Sequence, residues 1–277
     1  VTLAARHEAF HDLHQSGCFV IPNPWDAGSA RMMAALGARA LATSSAAHAF
    51  TLGRPDMGGV TRDEALAHAQ ALLAATDLPV AGDFENGFAD DPDGVAETMR
   101  LAGAVGLSGC SVEDTEMTAG TPAYPFALAV ERIRAGAAAA RALGRPFAFC
   151  ARADGVMNGA YDLAEGIRRL QAFQAAGADL LFLPVPPGPA ELAQVVGAVS
   201  EPVNALATGP LRALSLADFA ALGVRRVSTG SGIARLTHAA IRDATAAILG
   251  AGDFTPLTAG TPGAEIDRLL ALGAPRP

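Results

Sequence analysis

The sequence predicts an α/β fold, a (β/α)8 TIM barrel, from three observations. Eight short apolar runs recur along 277 residues, an alanine-rich helical stretch separates each from the next, and glycines stand at the helix-to-strand joints. The runs are 18–22, 38–43, 79–83, 107–113, 146–152, 179–185, 202–207 and 224–229. Strands of a parallel sheet are covered on both faces and read as nearly continuous apolar segments, as most of these do. An open doubly wound sheet is the competing architecture, because strand order is not written in a sequence.

The intervening helices are expected at 27–36, 62–75, 92–105, 127–143, 162–176, 189–199, 215–222 and 232–249. Thr61 with Glu64 three residues on has the form of a capping box, and Ser215 precedes LADF as a cap. Gly37, Gly106, Gly144, Gly177 and Gly223 each follow a helix, where a left-handed residue often ends it. The segment AFTLGRPDMGGVTRDEA reads as a long loop between the second strand and its helix. The whole chain, 1–277, is read as one barrel domain, with a leading helix in 1–16 and a C-terminal appendage over 250–277.

Composition narrows the function classes. The formal charge of −8 argues against a nucleic-acid surface. No apolar run has the length of a membrane span, and the opening VTLAARHEAFHDLHQSG lacks the apolar core of a signal peptide. The cysteines, Cys18, Cys110 and Cys150, are odd in number and match no metal-binding spacing, which suits a reducing compartment; cytoplasmic is the expectation. Cys110 and Cys150 fall inside apolar strands, as small core residues do.

Polar groups gather where the strands finish, and in a barrel those ends converge on one mouth. Thr43, Ser44 and Ser45 follow the second run. Asp83 ends the third, with Glu85 two residues later in GDFENGF. Glu113 and Asp114 end the fourth, Arg152 and Asp154 the fifth, and Asn204 lies in the seventh. Carboxylates sharing one site repel each other unless a cation joins them, and an all-oxygen set suits magnesium or manganese better than zinc. The bland reading of GDFENGF is a solvated acidic loop; Asp90, Asp91 and Asp93 fit it as acids at a helix N-terminus. Arg152 has two readings of equal weight: a partner for Asp154, or a two-pronged grip on a substrate carboxylate. His48 has a loop or packing role beside a proton-transfer one. STGSG at 228–232 offers backbone donors before a helix but lacks the lysine and spacing of a P-loop.

The ordered set FVIPNPWDAGSARMM, ATSSAAHAFTLGRPD, PVAGDFENGF, GCSVEDT, CARAD, AGADLLFLP and EPVNALA resembles the isocitrate lyase / phosphoenolpyruvate mutase superfamily, over a span reaching about residue 249. The resemblance implies a metal-dependent enzyme, with Mg2+ or Mn2+, acting on small carboxylic acids, and a homodimer or homotetramer in a family whose final barrel helix can be exchanged with a neighbour; the sequence does not distinguish exchange from local return. It makes Asp83 the leading metal-site residue. Glu85 then matches a second acidic position that is commonly aspartate, Asp56 and Glu113 match further members of the metal shell, and several of these contact the ion through water. Arg152 matches a substrate-binding arginine. Thr43, Ser44 and Ser45 match the substrate loop, and Asn204 a polar position of the lyase branch.

The departures bear on the reaction. After Glu113 the chain reads DTEMTAGTPAYPF, with neither the cysteine of the lyases' mobile loop nor the lysine of the mutases' gating loop, and Pro184 stands where the lyase branch has glutamate. Isocitrate or methylisocitrate cleavage is therefore not expected. The expectation is a lyase or decarboxylase breaking a C–C bond in a small 2-oxo or 2-hydroxy acid, with Arg152 and Glu113 in catalytic roles and the loop at 115–125 as a cover. P–C bond chemistry, as in phosphonopyruvate hydrolysis or phosphoenolpyruvate rearrangement, and non-catalytic binding of a small acid are the alternatives.

Overall fold

A computed structural model describes residues 1–117 and 123–276 of the chain. Its eight strands are β1 (Phe19–Ile21), β2 (Leu41–Ala42), β3 (Val80–Asp83), β4 (Gly109–Glu113), β5 (Ala148–Arg152), β6 (Leu180–Phe182), β7 (Val203–Leu206) and β8 (Arg226–Ser228). All pair in parallel, in the order β1-β8-β7-β6-β5-β4-β3-β2. The sheet therefore curls into a nearly closed (β/α)8 barrel, and the open alternative is set aside. At the remaining seam between β1 and β2, the Ala42 amide donates to the Pro22 carbonyl at 3.1 Å.

The main helices lie where the apolar period places them, at Ala27–Ala35, Arg62–Ala75, Pro92–Ala104, Phe126–Ala142, Leu163–Ala176, Pro189–Gly197, Leu216–Ala221 and Gly232–Ala251. Thr61 and Ser215 both form capping boxes, with Glu64 and Asp218 reaching back. The five expected joint glycines all have positive φ, 66° to 102°. One stretch differs from expectation. The loop after β2 begins as a helix, Ser45–Thr51, capped by the Ser44 hydroxyl, which accepts from the Ala47 amide. The later glycines made this alanine-rich turn read as part of a loop.

The leading helix, Leu3–Leu13, stoppers the N-terminal end of the barrel: Phe10 and Leu13 pack with Phe19, Ile21, Ala40 and Ala81. The C-terminal helix Gly263–Leu272 packs on Ala27–Ala35, where Gly273 lies so close to the Arg31 backbone that a Cβ would overlap its carbonyl. Helix Gly232–Ala251 has a different environment. Ala234 is its one buried residue, and Leu236, Ile241 and Leu249 are exposed, the last at 81%.

Candidate active site

The C-terminal ends of the strands enclose a cavity of about 310 Å³, lined by Thr43, Ser44, Ser45, Asp56, Asp83, Arg152 and Asn204 among the residues singled out from the sequence. Glu85 and Glu113 are not on its wall. Both are buried behind it, and Glu85 lines the neighbouring cavity with Gly58 and Asp90.

Asp83 is the hub. Its Oδ2 accepts from the Ser45 amide at 2.9 Å and the Ser45 hydroxyl at 3.0 Å. Its Oδ1 accepts from Arg152 Nη1 at 2.6 Å and the Ser111 hydroxyl at 3.3 Å. Its own amide donates to the Thr43 hydroxyl at 2.7 Å, so the loop after β2 is tied to the end of β3 twice.

Arg152 pairs with three carboxylates. Its guanidinium forms a fork with Asp154, through Nε at 3.1 Å and Nη2 at 2.5 Å, and reaches Glu113 at 2.9 Å as well as Asp83. Burial disfavours its charge, but Asp154, Glu113 and Asp83 together hold its pKa well above the ordinary value. The acids are strained in the other direction. Burial, then the charges of Asp83 and Asp56, push Glu85 up to about 7 against the pull of the Gly58 amide and Arg152. Burial raises Asp154 to about 6 and Glu113 well above the carboxylate range, although Arg152 lowers both. Three carboxylates thus share the one Arg152 guanidinium.

Asp114 buttresses the cluster from behind, accepting from the Asp154 amide, the Tyr161 hydroxyl and Arg169 at 2.7–2.9 Å. Tyr124, on the loop considered as a cover, donates to Asp90 and accepts from Asn86; residues 118–122 of that loop lie outside the described part. His48 stacks on His68 with ring centroids 3.9 Å apart, and burial lowers both pKa values, in keeping with packing. Cys110 and Cys150 are buried, and burial raises both thiols.

Three residues of the site escaped the sequence reading. The Asn23 amide clamps the ends of three strands: Oδ1 accepts from the Thr229 and Gly230 amides, and Nδ2 donates to the Thr43 carbonyl. Its signal was its place, two residues past β1 in PNPWDAG. Arg226 is a charged residue inside an apolar run, and Arg235 lines the rim from the first turn of Gly232–Ala251.

A model of the phosphoenolpyruvate phosphomutase family matches residues 10–249. The chain belongs to this phosphomutase family. Relatives within it extend to the isocitrate lyase branch of the superfamily. An uncharacterised Mycobacterium tuberculosis protein is 34% identical over 244 residues, 84% of this chain and 87% of the relative. The oxaloacetate decarboxylase of Paraburkholderia xenovorans is 30% identical over 231 residues, 79% of this chain and 73% of the relative. Among solved structures, a Burkholderia cenocepacia protein assigned provisionally as a lyase/mutase is 46% identical with a TM-score of 0.92, covering 97% of this chain and 96% of the other. Phosphomutase-family enzymes thus include lyases and mutases, and the barrel mouth described above is where this member carries its polar residues. No helix among the described residues is long and apolar enough to cross a membrane.

Proposed function

We propose that this protein is a Mg2+- or Mn2+-dependent lyase that breaks a C–C bond in a small 2-oxo or 2-hydroxy acid, with decarboxylation as the leading form. The observation that supports the reading is the set of carboxylates at this mouth: Asp83 and Asp56 line the cavity, and Glu113 and Asp154 share Arg152 with Asp83 behind it. Several acids there share one guanidinium, and an all-oxygen donor set is the kind a hard divalent cation takes. Among the described residues no three His, Cys, Asp or Glu side chains converge on one point. The fit is therefore to an ion held by Asp83 and Asp56 at the cavity wall, with Glu85 and Glu113 acting through water. A bound divalent ion supplies charge stabilisation for an oxygen that becomes negative as the C–C bond breaks.

The chain's own residues do the positioning. Arg152 places fixed positive charge beside the substrate carboxylate, and Ser45 and Thr43 set the loop that meets the substrate. The likeness to an oxaloacetate decarboxylase supports this choice over P–C chemistry. The same reading makes the protein a homo-oligomer in the cytoplasm, with the exposed apolar face of Gly232–Ala251 covered by a neighbouring subunit; light scattering that gives a monomer removes that part.

The test is a mass-spectrometric screen of purified protein against 2-oxo acids, hydroxy diacids and phosphonates with Mg2+ or Mn2+. Metal-dependent C–C cleavage of a small acid is expected. Turnover of a phosphonate alone transfers the assignment to P–C chemistry, and metal-dependent binding without turnover makes the protein a binder.

A further inference from the structure

Arg226 is 7% exposed and lies inside the barrel, on the wall of the same cavity as Arg152. Its Nε donates to Asn204 Oδ1 at 2.7 Å, and the thiol of Cys150 lies beside it. No carboxylate among the described residues pairs with it; it bonds to the Asn204 amide oxygen and the Cys150 thiol. Asn204 holds it in place: the amide oxygen takes Nε, and Nδ2 donates to the Ser228 hydroxyl at 3.1 Å, which fixes the amide's orientation. A guanidinium taken out of water is ordinarily matched by an acid, because an unmatched buried charge is costly. Here no described carboxylate supplies the match, Asn204 holds the orientation, and the guanidinium lines a cavity.

We propose that Arg226 is an anion subsite at the floor of the cavity, which receives a second carboxylate of the substrate and makes the site selective for dicarboxylates. Arg152 cannot fill this role alone, since three protein carboxylates already surround it. Asn204 is then a positioning residue that aims the fork. The inference rests on the proposed use of the cavity for small acids and narrows it to a subclass. It involves no chemical step of its own.

The experiment is titration calorimetry in Mg2+ buffer with two pairs of stable probes that differ only at the far end: malate against 2-hydroxybutyrate, and 2-hydroxyglutarate against 2-hydroxyvalerate. The parent should favour one diacid over its twin by at least about 30-fold, the size of effect found when one partner of a buried charge pair is removed. R226Q should erase that preference while leaving the monoacids within about twofold, as for any contact made only to the missing group. R226K, which keeps charge and loses the fork, should fall between. N204A should weaken diacid binding with Arg226 still present. The idea is overturned if the parent shows no diacid preference, or if folded R226Q or R226K retains all of it. It is also overturned if R226Q weakens mono- and diacids equally. Binding is read without turnover, so a protein that cleaves none of the screened acids yet shows the Arg226-dependent preference loses the lyase reading and keeps the subsite.

Discussion

Two arginines face one cavity in opposite circumstances. Arg152 is gripped by Asp83, Glu113 and Asp154, while Arg226 has a neutral amide and a thiol. In the first, three acids share one cation; in the second, a cation has no acid among the described residues. The pair shows that the barrel interior is not neutralised locally. Its charges are spaced as though part of the balance comes from what binds: a metal ion against the acids and an anion against Arg226.

The largest expected effect comes from breaking each side in turn. Arg152→Met leaves three buried carboxylates without their cation and should cost about 3–5 kcal/mol of stability, the usual result of removing one partner from a buried pair. Arg226→Met removes a charge that has no acid partner and should stay within about 1 kcal/mol of the parent, roughly the worth of its bond to Asn204. Urea unfolding of both without ligands checks this, and equal losses would mean that the two arginines are equivalent structural groups.

A smaller effect separates metal from substrate. Asp83→Ala should raise the Mg2+ concentration for half-maximal activity by about 10–100-fold. R152K should weaken substrate use with metal affinity largely intact, because it keeps charge but loses the two-pronged geometry. The 2.6 Å contact between Asp83 and Arg152 means the double variant should lose less than the sum of the singles. Metal and substrate titrations of the four proteins decide it.

The mouth also differs from the base of the barrel in its response to pH. At the base, burial lowers His14 to about 3 and His7 to about 4, and His68 beside the mouth loop likewise falls to about 4. These side chains take up protons more readily when unfolded, so their contribution is complete above about pH 6.5 and is lost as pH falls toward 3–4. Glu85 and Asp154, with raised values of about 7 and 6, act in reverse: the folded form holds their protons more tightly, and stability falls as pH rises through 4–7. His14→Phe should therefore flatten the acid limb of a melting-temperature profile. Added Mg2+ should stabilise more at pH 8 than at pH 6, since metal binding requires ionised carboxylates. A Mg2+ effect independent of pH would detach the raised acids from the metal.

The smallest effect is a control far from either arginine. Ser215→Ala removes a capping box and should cost about 1 kcal/mol while changing neither metal nor acid binding.

The strands and helices were legible because two-sided burial writes apolar runs and capping writes local punctuation. Asp83 and Arg152 were legible for a related reason: polar residues that end apolar strands point at the mouth. Arg226 was not. In VRRVST two arginines stand side by side; Arg225 bonds outward to the Gly17 carbonyl and Arg226 turns inward. Which of two adjacent side chains faces the barrel depends on register, and Arg226↔Asn204 is a pairing made across 22 residues. Arg132 and Arg169, buried on helices and bonded to the Glu113 carbonyl and to Asp114, were hidden likewise by partners distant in sequence.

The Asn23 amide gives the seam between β1 and β2 a further meaning. Backbone bonding there is sparse, and the Asn23 side chain fastens the end of β1 to the loops after β8 and β2. The barrel is thus a ring with a clasp, and the clasp sits at the root of the segment that carries Ser45 to Asp83. Opening the clasp and loosening the binding loop are one motion. Amide exchange at Ala42 and Thr43 should report both, quickening together in Asn23→Ala and slowing together when a ligand fills the mouth.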